Sequence, residues 1–150
     1  MRDKVINEAR ELGLHVNVQT LERSTATAKE TAGAVGCDEA QIAKSLVFLA
    51  DGEPVLCIAS GAHRVDRSRL AEVLDAAEVT QASTDQVRAA TGFAVGGVPP
   101  IGHGLPVVLD EALLGHEQVW AAAGDGHSLF AVDPRDLVRC TQALVASVGE

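Results

Sequence analysis

The apolar positions change period along the chain, and those changes divide it into elements. Over residues 3–12, Val5, Ile6, Ala9 and Leu12 share one helical face, and Gly13 follows as a residue suited to the backbone just past a helix end. Residues 14–20 alternate instead, with Leu14, Val16 and Val18 apolar against His15, Asn17 and Gln19, the pattern of a half-buried strand. Thr27-Ala28-Lys29-Glu30 has capping-box spacing and predicts a helix through Val35, ended by Gly36. Asp38 to Gln41 repeats that spacing and predicts a short helical turn carrying Ile42 and Ala43.

Residues 45–50 and 55–60 are apolar, β-branched-rich runs joined by Asp51-Gly52-Glu53-Pro54, which predicts a hairpin. Asp66 can cap a helix bearing Leu70, Val73 and Leu74, and Ser83-Thr84-Asp85-Gln86 can cap another through Thr91. Residues 105–109 read as a buried strand. Residues 118–123 and 128–132 flank Gly124-Asp125-Gly126-His127 and predict a second hairpin. Asp133-Pro134 supplies an N-cap and a first-turn proline for a terminal helix, with Leu137, Cys140, Leu144 and Val148 on one stripe. Helices and hairpins interleave without strict β-α-β alternation. That predicts an α+β fold, a mixed sheet with helices around it, rather than a doubly wound one. No linker, repeat or low-complexity stretch divides the 150 residues, so one domain over 1–150 is expected.

Composition narrows the function more than the fold. A hydrophobic content of 47% supports a packed core. Aromatic residues make up only 3%, with no tyrosine, so stacking platforms for single-stranded nucleic acid are scarce. A formal net charge of −9 opposes a broad grip on a phosphate backbone, which needs clustered lysine and arginine. Cys37, Cys57 and Cys140 form no C-x-x-C pair and predict reduced thiols, with Cys57 in an apolar strand. His15, His63, His103, His116 and His127 are scattered without metal-ligand spacing, so neither a metal nor a cofactor is expected. The N-terminal residues lead into a charged amphipathic helix rather than a secretory segment, and no apolar run is long enough to span a bilayer. A soluble, cytoplasmic protein without membrane contact is expected; the oligomeric state is left open.

Two stretches carry candidate chemistry. Residues 91–104, Thr-Gly-Phe-Ala-Val-Gly-Gly-Val-Pro-Pro-Ile-Gly-His-Gly, pack five glycines and the adjacent Pro99 and Pro100 between apolar segments. Glycine lets backbone approach a ligand, and proline fixes φ, so such a loop either holds its main-chain groups in a rigid array or simply connects two strands. Neither phosphate-loop pattern is present, and the prolines remove N–H donors. The other stretch, Gln41 to Phe48, sets Lys44 inside an apolar passage. A lysine there must snorkel, pair with a carboxylate or enter a polar cavity.

Ile42-Ala43-Lys44-Ser45-Leu46-Val47-Phe48, followed by Thr91-Gly92-Phe93-Ala94-Val95-Gly96-Gly97-Val98-Pro99-Pro100-Ile101-Gly102, resembles the YbaK/prolyl-tRNA synthetase-associated domain family of aminoacyl-tRNA deacylases. The resemblance continues through Leu105 to Asp110, Ala122 to Gly124 and Val132 to Leu137, and so covers nearly the whole chain. It implies a mixed, partly closed sheet surrounded by helices. It also implies a trans-editing deacylase that hydrolyses the ester of misacylated tRNA, with a small amino acid such as cysteine or alanine on tRNA for proline.

The residues that match the family's functional positions are Lys44, Gly96 and Pro100. Lys44 would position the acceptor end, and the Gly/Pro loop would hold the aminoacyl group and terminal ribose with help from substrate hydroxyls. Gly97, Val98, Pro99 and Gly102 extend that loop. Thr25 and Thr27 lie near the second helix, where helix capping is the competing role. Ser60 and Gly61, at the end of the hairpin, and Gly124 could border the same pocket. His103 adjoins the loop; it is either an exposed loop residue or a group that tunes proton transfer near neutral pH. Where cysteinyl-specific members carry a serine before the conserved proline, this chain has Pro99, and that hydroxyl is absent. The implied partners are the acceptor end of an aminoacylated tRNA and a synthetase. Two other functions fit the same residues: a non-catalytic module that senses an aminoacyl group or docks on a synthetase, and a hydrolase of another small activated ester.

Overall fold

The computed structural model describes residues 2–14, 17–21 and 27–149. In chain order they form α1 (Arg2–Glu11), β1 (Val18–Thr20), α2 (Ala28–Val35), a 3₁₀ turn (Glu39–Gln41), β2 (Ile42–Ala50) and β3 (Glu53–Ser60). Then come α3 (Arg67–Leu74), β4 (Val79–Gln81), α4 (Thr84–Thr91), β5 (Val107–Asp110), a second 3₁₀ turn (Glu111–Gly115), β6 (Val119–Ala122), β7 (Ser128–Val132), α5 (Pro134–Thr141) and β8 (Leu144–Ala146). The strands make one mixed sheet in the order β1-β7-β6-β2-β3-β5-β8, with β4 paired to β2 off that path.

The β2–β3 hairpin is the spine. Asp51 and Gly52 both take positive φ, 50° and 84°, which gives a tight turn whose twist matches the strands. The pairing runs unbroken from Ala50↔Glu53 to Ala43↔Ser60. β3 is buried from Val55 to Ser60, because β2 covers one edge, parallel β5 the other, and both faces are packed. On one face Leu56, Ile58, Leu109, Phe130 and Leu137 form the larger core, which Val5 and Ala9 of α1 and Val87 of α4 complete. On the other, Phe48, Cys57, Ala59, Leu70, Val108 and Val148 form a smaller one. The caps expected from sequence are present: Thr27 Oγ1 accepts from Glu30 N–H at 3.1 Å, Ser83 and Gln86 bond reciprocally, and Asp133 accepts from Arg135 N–H.

The end of the chain differs from the expectation. The terminal helix stops at Thr141 rather than continuing through Val148, because Gln142 adopts a left-handed conformation, φ 54°, and its N–H closes on the Val138 carbonyl. Leu144–Ala146 then runs parallel to β5, pairing Val108↔Leu144 through Asp110↔Ala146. The spacing of Leu137, Cys140, Leu144 and Val148 fits a helical face by number alone. The open edge of β5 competes for the same residues and wins. β4 was not expected either; it pairs only with Phe48 to Ala50 at the far end of β2. The strand expected over 14–20 is formed over Val18–Thr20, and His15 and Val16 lie outside the described residues.

Gln142→Gly tests the helix end directly. Glycine relieves the left-handed backbone and should raise stability by about 1 kcal/mol in urea unfolding. A helix continuing through this position would instead lose about 1 kcal/mol on the same change.

Candidate functional site

β2 has different partners along its outer edge. β6 pairs with it only at Ile42 and Ala43, and β4 only from Phe48 to Ala50. Between them the sheet is open beside Lys44 to Val47, apart from one bond from Ala82 N–H to the Val47 carbonyl. Over this opening lies a cavity of about 200 Å³. Residues from both faces of β2 reach it: Ile42, Lys44 and Leu46 from one, Ala43, Ser45 and Val47 from the other. Thr27, Ala28 and Thr31 of α2 close one side, Trp120, Ala122 and Leu129 another, and Val87, Val95, Gly96 and Val98 the loop side. Among the described residues that line it, Lys44 is the one charged side chain, and no carboxylate joins it.

Lys44 is tethered. Its Nζ donates to the His63 carbonyl at 2.6 Å, so the ammonium is held at the end of the hairpin rather than swinging in solvent. His63 is in turn fixed by Nδ1 against Asp110 Oδ2 at 2.8 Å. The buried Asp110 carboxylate also accepts from Ser60 N–H at 3.1 Å and, through Oδ1, from Ala112 N–H. Ser60 Oγ donates to the Ala40 carbonyl, tying the hairpin end to the 3₁₀ turn. Gly61 allows the same closeness: a Cβ there would lie 2.5 Å from the Glu39 carbonyl and 2.7 Å from the Ala28 Cβ. Ser60 and Gly61 thus hold up the wall that carries Lys44 and α2, and neither lines the cavity.

The Gly/Pro loop is pinned at three points. At its start the buried Thr91 hydroxyl donates to the Val87 carbonyl and accepts from Phe93 N–H, while Lys4 Nζ sits 5.2 Å over the Phe93 ring. In its middle Gly96 takes φ 88°, and Gly97 presses on the β6–β7 turn, where an added Cβ would meet Asp125 backbone at 3.0 Å. That turn is itself braced: Asp125 accepts from His127 N–H, Ser128 N–H and Ser128 Oγ. Burial pushes the Asp125 carboxyl up, but these hydrogen bonds outweigh it and hold the group below its ordinary range. At its end the loop is closed by His103. Its Nε2 meets the Pro100 carbonyl at 2.8 Å and its Nδ1 accepts from Leu105 N–H at 3.0 Å.

His103 is therefore buried, not the exposed loop residue that was one of two expectations. Since Leu105 N–H can only donate, Nδ1 is unprotonated and Nε2 carries the hydrogen. Burial lowers its pKa, with the Pro100 carbonyl acting in the opposite direction. His103 and Gly102 border a separate hollow with Leu12, Ile101 and Leu105.

Among the sequence candidates, Lys44, Gly96 and Val98 line one cavity, as does Thr27, which also caps α2. Gly97 packs on the Asp125 backbone, Gly124 precedes that residue in the β6–β7 turn, and Pro99 and Pro100 are buried within the loop; none of the four lines the cavity. Thr25 lies outside the described residues. Sequence reasoning missed Ser45, Thr31, Gln81 and Trp120. Only Ser45 had a signal, as a polar residue beside Lys44 in an apolar strand. None of the cysteines lines the cavity; burial pushes the Cys57 thiol up to about 12, with Asp110 adding and Lys44 opposing, so it stays protonated core packing.

The His103 geometry sets a pH dependence. Its folded pKa lies below the unfolded value of about 6.5, so the unfolded chain takes up the proton first. The stabilisation is complete above about pH 6.5 and is lost as pH falls from there through the depressed folded value. Wild type should therefore lose stability relative to His103→Gln between pH 7.5 and pH 5 in urea unfolding. A difference that does not change with pH would contradict the assignment.

The family model of the aminoacyl-tRNA editing domain matches residues 22–140. The uncharacterized protein YwhH of Bacillus subtilis is 32% identical, over 81% of this chain and 78% of its own length. Proline–tRNA ligase of Solidesulfovibrio magneticus is 34% identical over 73% of this chain, which spans only 20% of the ligase. In solved structures, a candidate trans-editing enzyme for prolyl-tRNA synthetase superposes with a TM-score of 0.93 at 42% identity, covering 99% of this chain and 96% of that one. The tethered lysine, the open strand edge and the Gly/Pro loop are thus parts of a domain that belongs to the aminoacyl-tRNA editing family.

Proposed function

We propose that this domain is a deacylase that hydrolyses the ester of misacylated tRNA in trans, with cysteine or alanine on tRNA for proline as the first candidates. One observation carries the reading: Lys44, Gly96 and Val98 meet around one small cavity. At about 200 Å³ it falls below the roughly 300–1,000 Å³ of pockets for drug-sized ligands. The apolar walls from Val47, Val87, Val95 and Val98 suit a small side chain, since such walls discriminate by size. A net charge of −9 agrees with contact limited to the acylated end, with a synthetase partner supplying further grip on the tRNA.

In this reading water adds to the ester carbonyl, the bond to the terminal ribose oxygen breaks, and a proton from water ends on that oxygen. The domain contributes placement and electrostatics rather than a covalent nucleophile. Lys44 lines the cavity, and its ammonium, fixed by the His63 carbonyl, supplies a positive charge beside it. The main chain at Gly96, held by the Gly97 contact below it, approaches the aminoacyl group. Pro100 sets the loop's path, and its carbonyl is the atom that His103 secures.

The test is release of amino acid from cysteinyl-, alanyl- and prolyl-tRNA for proline. Rapid release from a mischarged species, at least tenfold slower in Lys44→Ala and in Gly96→Ala with both variants folded, is the expected result. Unchanged turnover in Lys44→Ala would overturn the role given to the lysine. Absence of turnover by folded wild type, with binding of the acylated tRNA retained, would instead identify a sensing module.

A further inference from the structure

One buried polar atom in this cavity has no use in the fold. Among the described residues, Ser45 Oγ is the buried side-chain oxygen or nitrogen that lacks any hydrogen-bond partner. Leaving a hydroxyl buried and unpaired costs roughly 1–3 kcal/mol, so a position that keeps one invites a partner from outside the chain. Alanine would fill the place without that cost. Ser45 sits among the cavity-lining residues, in the part of β2 that neither β6 nor β4 covers.

The main chain beside it points the same way. In an antiparallel ladder alternate residues turn both peptide groups toward the partner strand or away from it. The Val47 carbonyl faces away from β3, since it accepts from Ala82 N–H, and the Ile42 carbonyl faces β3's end, since it accepts from Gly61 N–H. Ser45, two residues from Val47 in an unbroken register, therefore turns its N–H and C=O into the opening. One residue thus offers a donor, an acceptor and a hydroxyl within the cavity. That set complements the amino and carbonyl groups every amino acid carries, as a strand edge complements an added strand.

We propose that Ser45 is a substrate-contacting residue that binds the constant part of the aminoacyl group, its α-amino and ester carbonyl atoms, rather than its side chain. This rests on the deacylase reading for its substrate. It assigns the opening in the sheet as the place where the aminoacyl group lies, with Lys44 on the opposite face of β2 and the Gly96 loop over it.

The test compares wild type, Ser45→Ala and Ser45→Thr in the release assay and in unfolding. Ser45→Ala should be as stable as wild type or more so, yet lose about 3- to 10-fold in kcat/KM, the worth of one neutral hydrogen bond. The loss should be similar for alanyl, seryl and cysteinyl esters, and Ser45→Thr should restore most of it. Unchanged kcat/KM, or a loss confined to one side chain, would overturn the proposal. A second measurement does not depend on turnover: titration with the stable amide analogue of alanylated adenosine, followed by fluorescence of Trp120, the chain's single tryptophan, which lines the same cavity. Weaker binding by Ser45→Ala supports the contact even if wild type proves inactive and the deacylase reading fails; equal binding contradicts it.

Discussion

The interrupted pairing of β2 is the constraint from which the rest of the site follows. A continuous strand partner along Lys44 to Val47 would satisfy every peptide group and seal the sheet. Instead β6 leaves after Ala43 and β4 joins only at Phe48, and residues from both faces of β2 line the cavity at the break. The spine tolerates this because β3 pairs with β2 over its whole length and is itself buried between β2 and β5. Strength on one edge permits a vacancy of hydrogen bonding on the other. Such an edge would invite strand addition if exposed, and here α2 and the Gly/Pro loop restrict what can reach it.

The loop over the opening is rigid by construction rather than by composition alone. Glycine at 97 is required by the Asp125 backbone beneath it, and glycine at 96 by its positive φ. Thr91 and His103 fasten the two ends with buried hydrogen bonds. These fixtures remove conformational freedom before any ligand arrives, which is how a site made largely of main chain can position a reacting group. The lysine follows the same logic. Its tether to the His63 carbonyl, backed by Asp110 and Ser60, trades mobility for placement.

Legibility in the sequence was uneven, for physical reasons. Where a signal is local, it held: Thr27, Ser83 and Asp133 cap the helices their spacing implied, and Asp51-Gly52 turns the hairpin. The C-terminal segment misled because Leu144 and Val148 fit a helical stripe, while the stop at Gln142 is made without glycine or proline and the strand it frees is chosen by a distant edge. The site was half visible. Lys44 and Gly96 stood out through their motifs, but Ser45 matters only because two strands stop short of it, which no window of sequence records. His103 was read from loop position, and its burial depends on two main-chain partners that exist only once the loop is folded.

The proposed seat of the aminoacyl group is the opening between β2 and the Gly/Pro loop. Backbone amide shifts in two-dimensional NMR, recorded on adding the stable amide analogue of alanylated adenosine, test it most directly. The largest changes are expected at Ser45, Val47, Gly96 and Val98, with little change at Gly102 or Leu105 around the separate hollow. Changes centred on that hollow, with Ser45 and Gly96 unmoved, would contradict it.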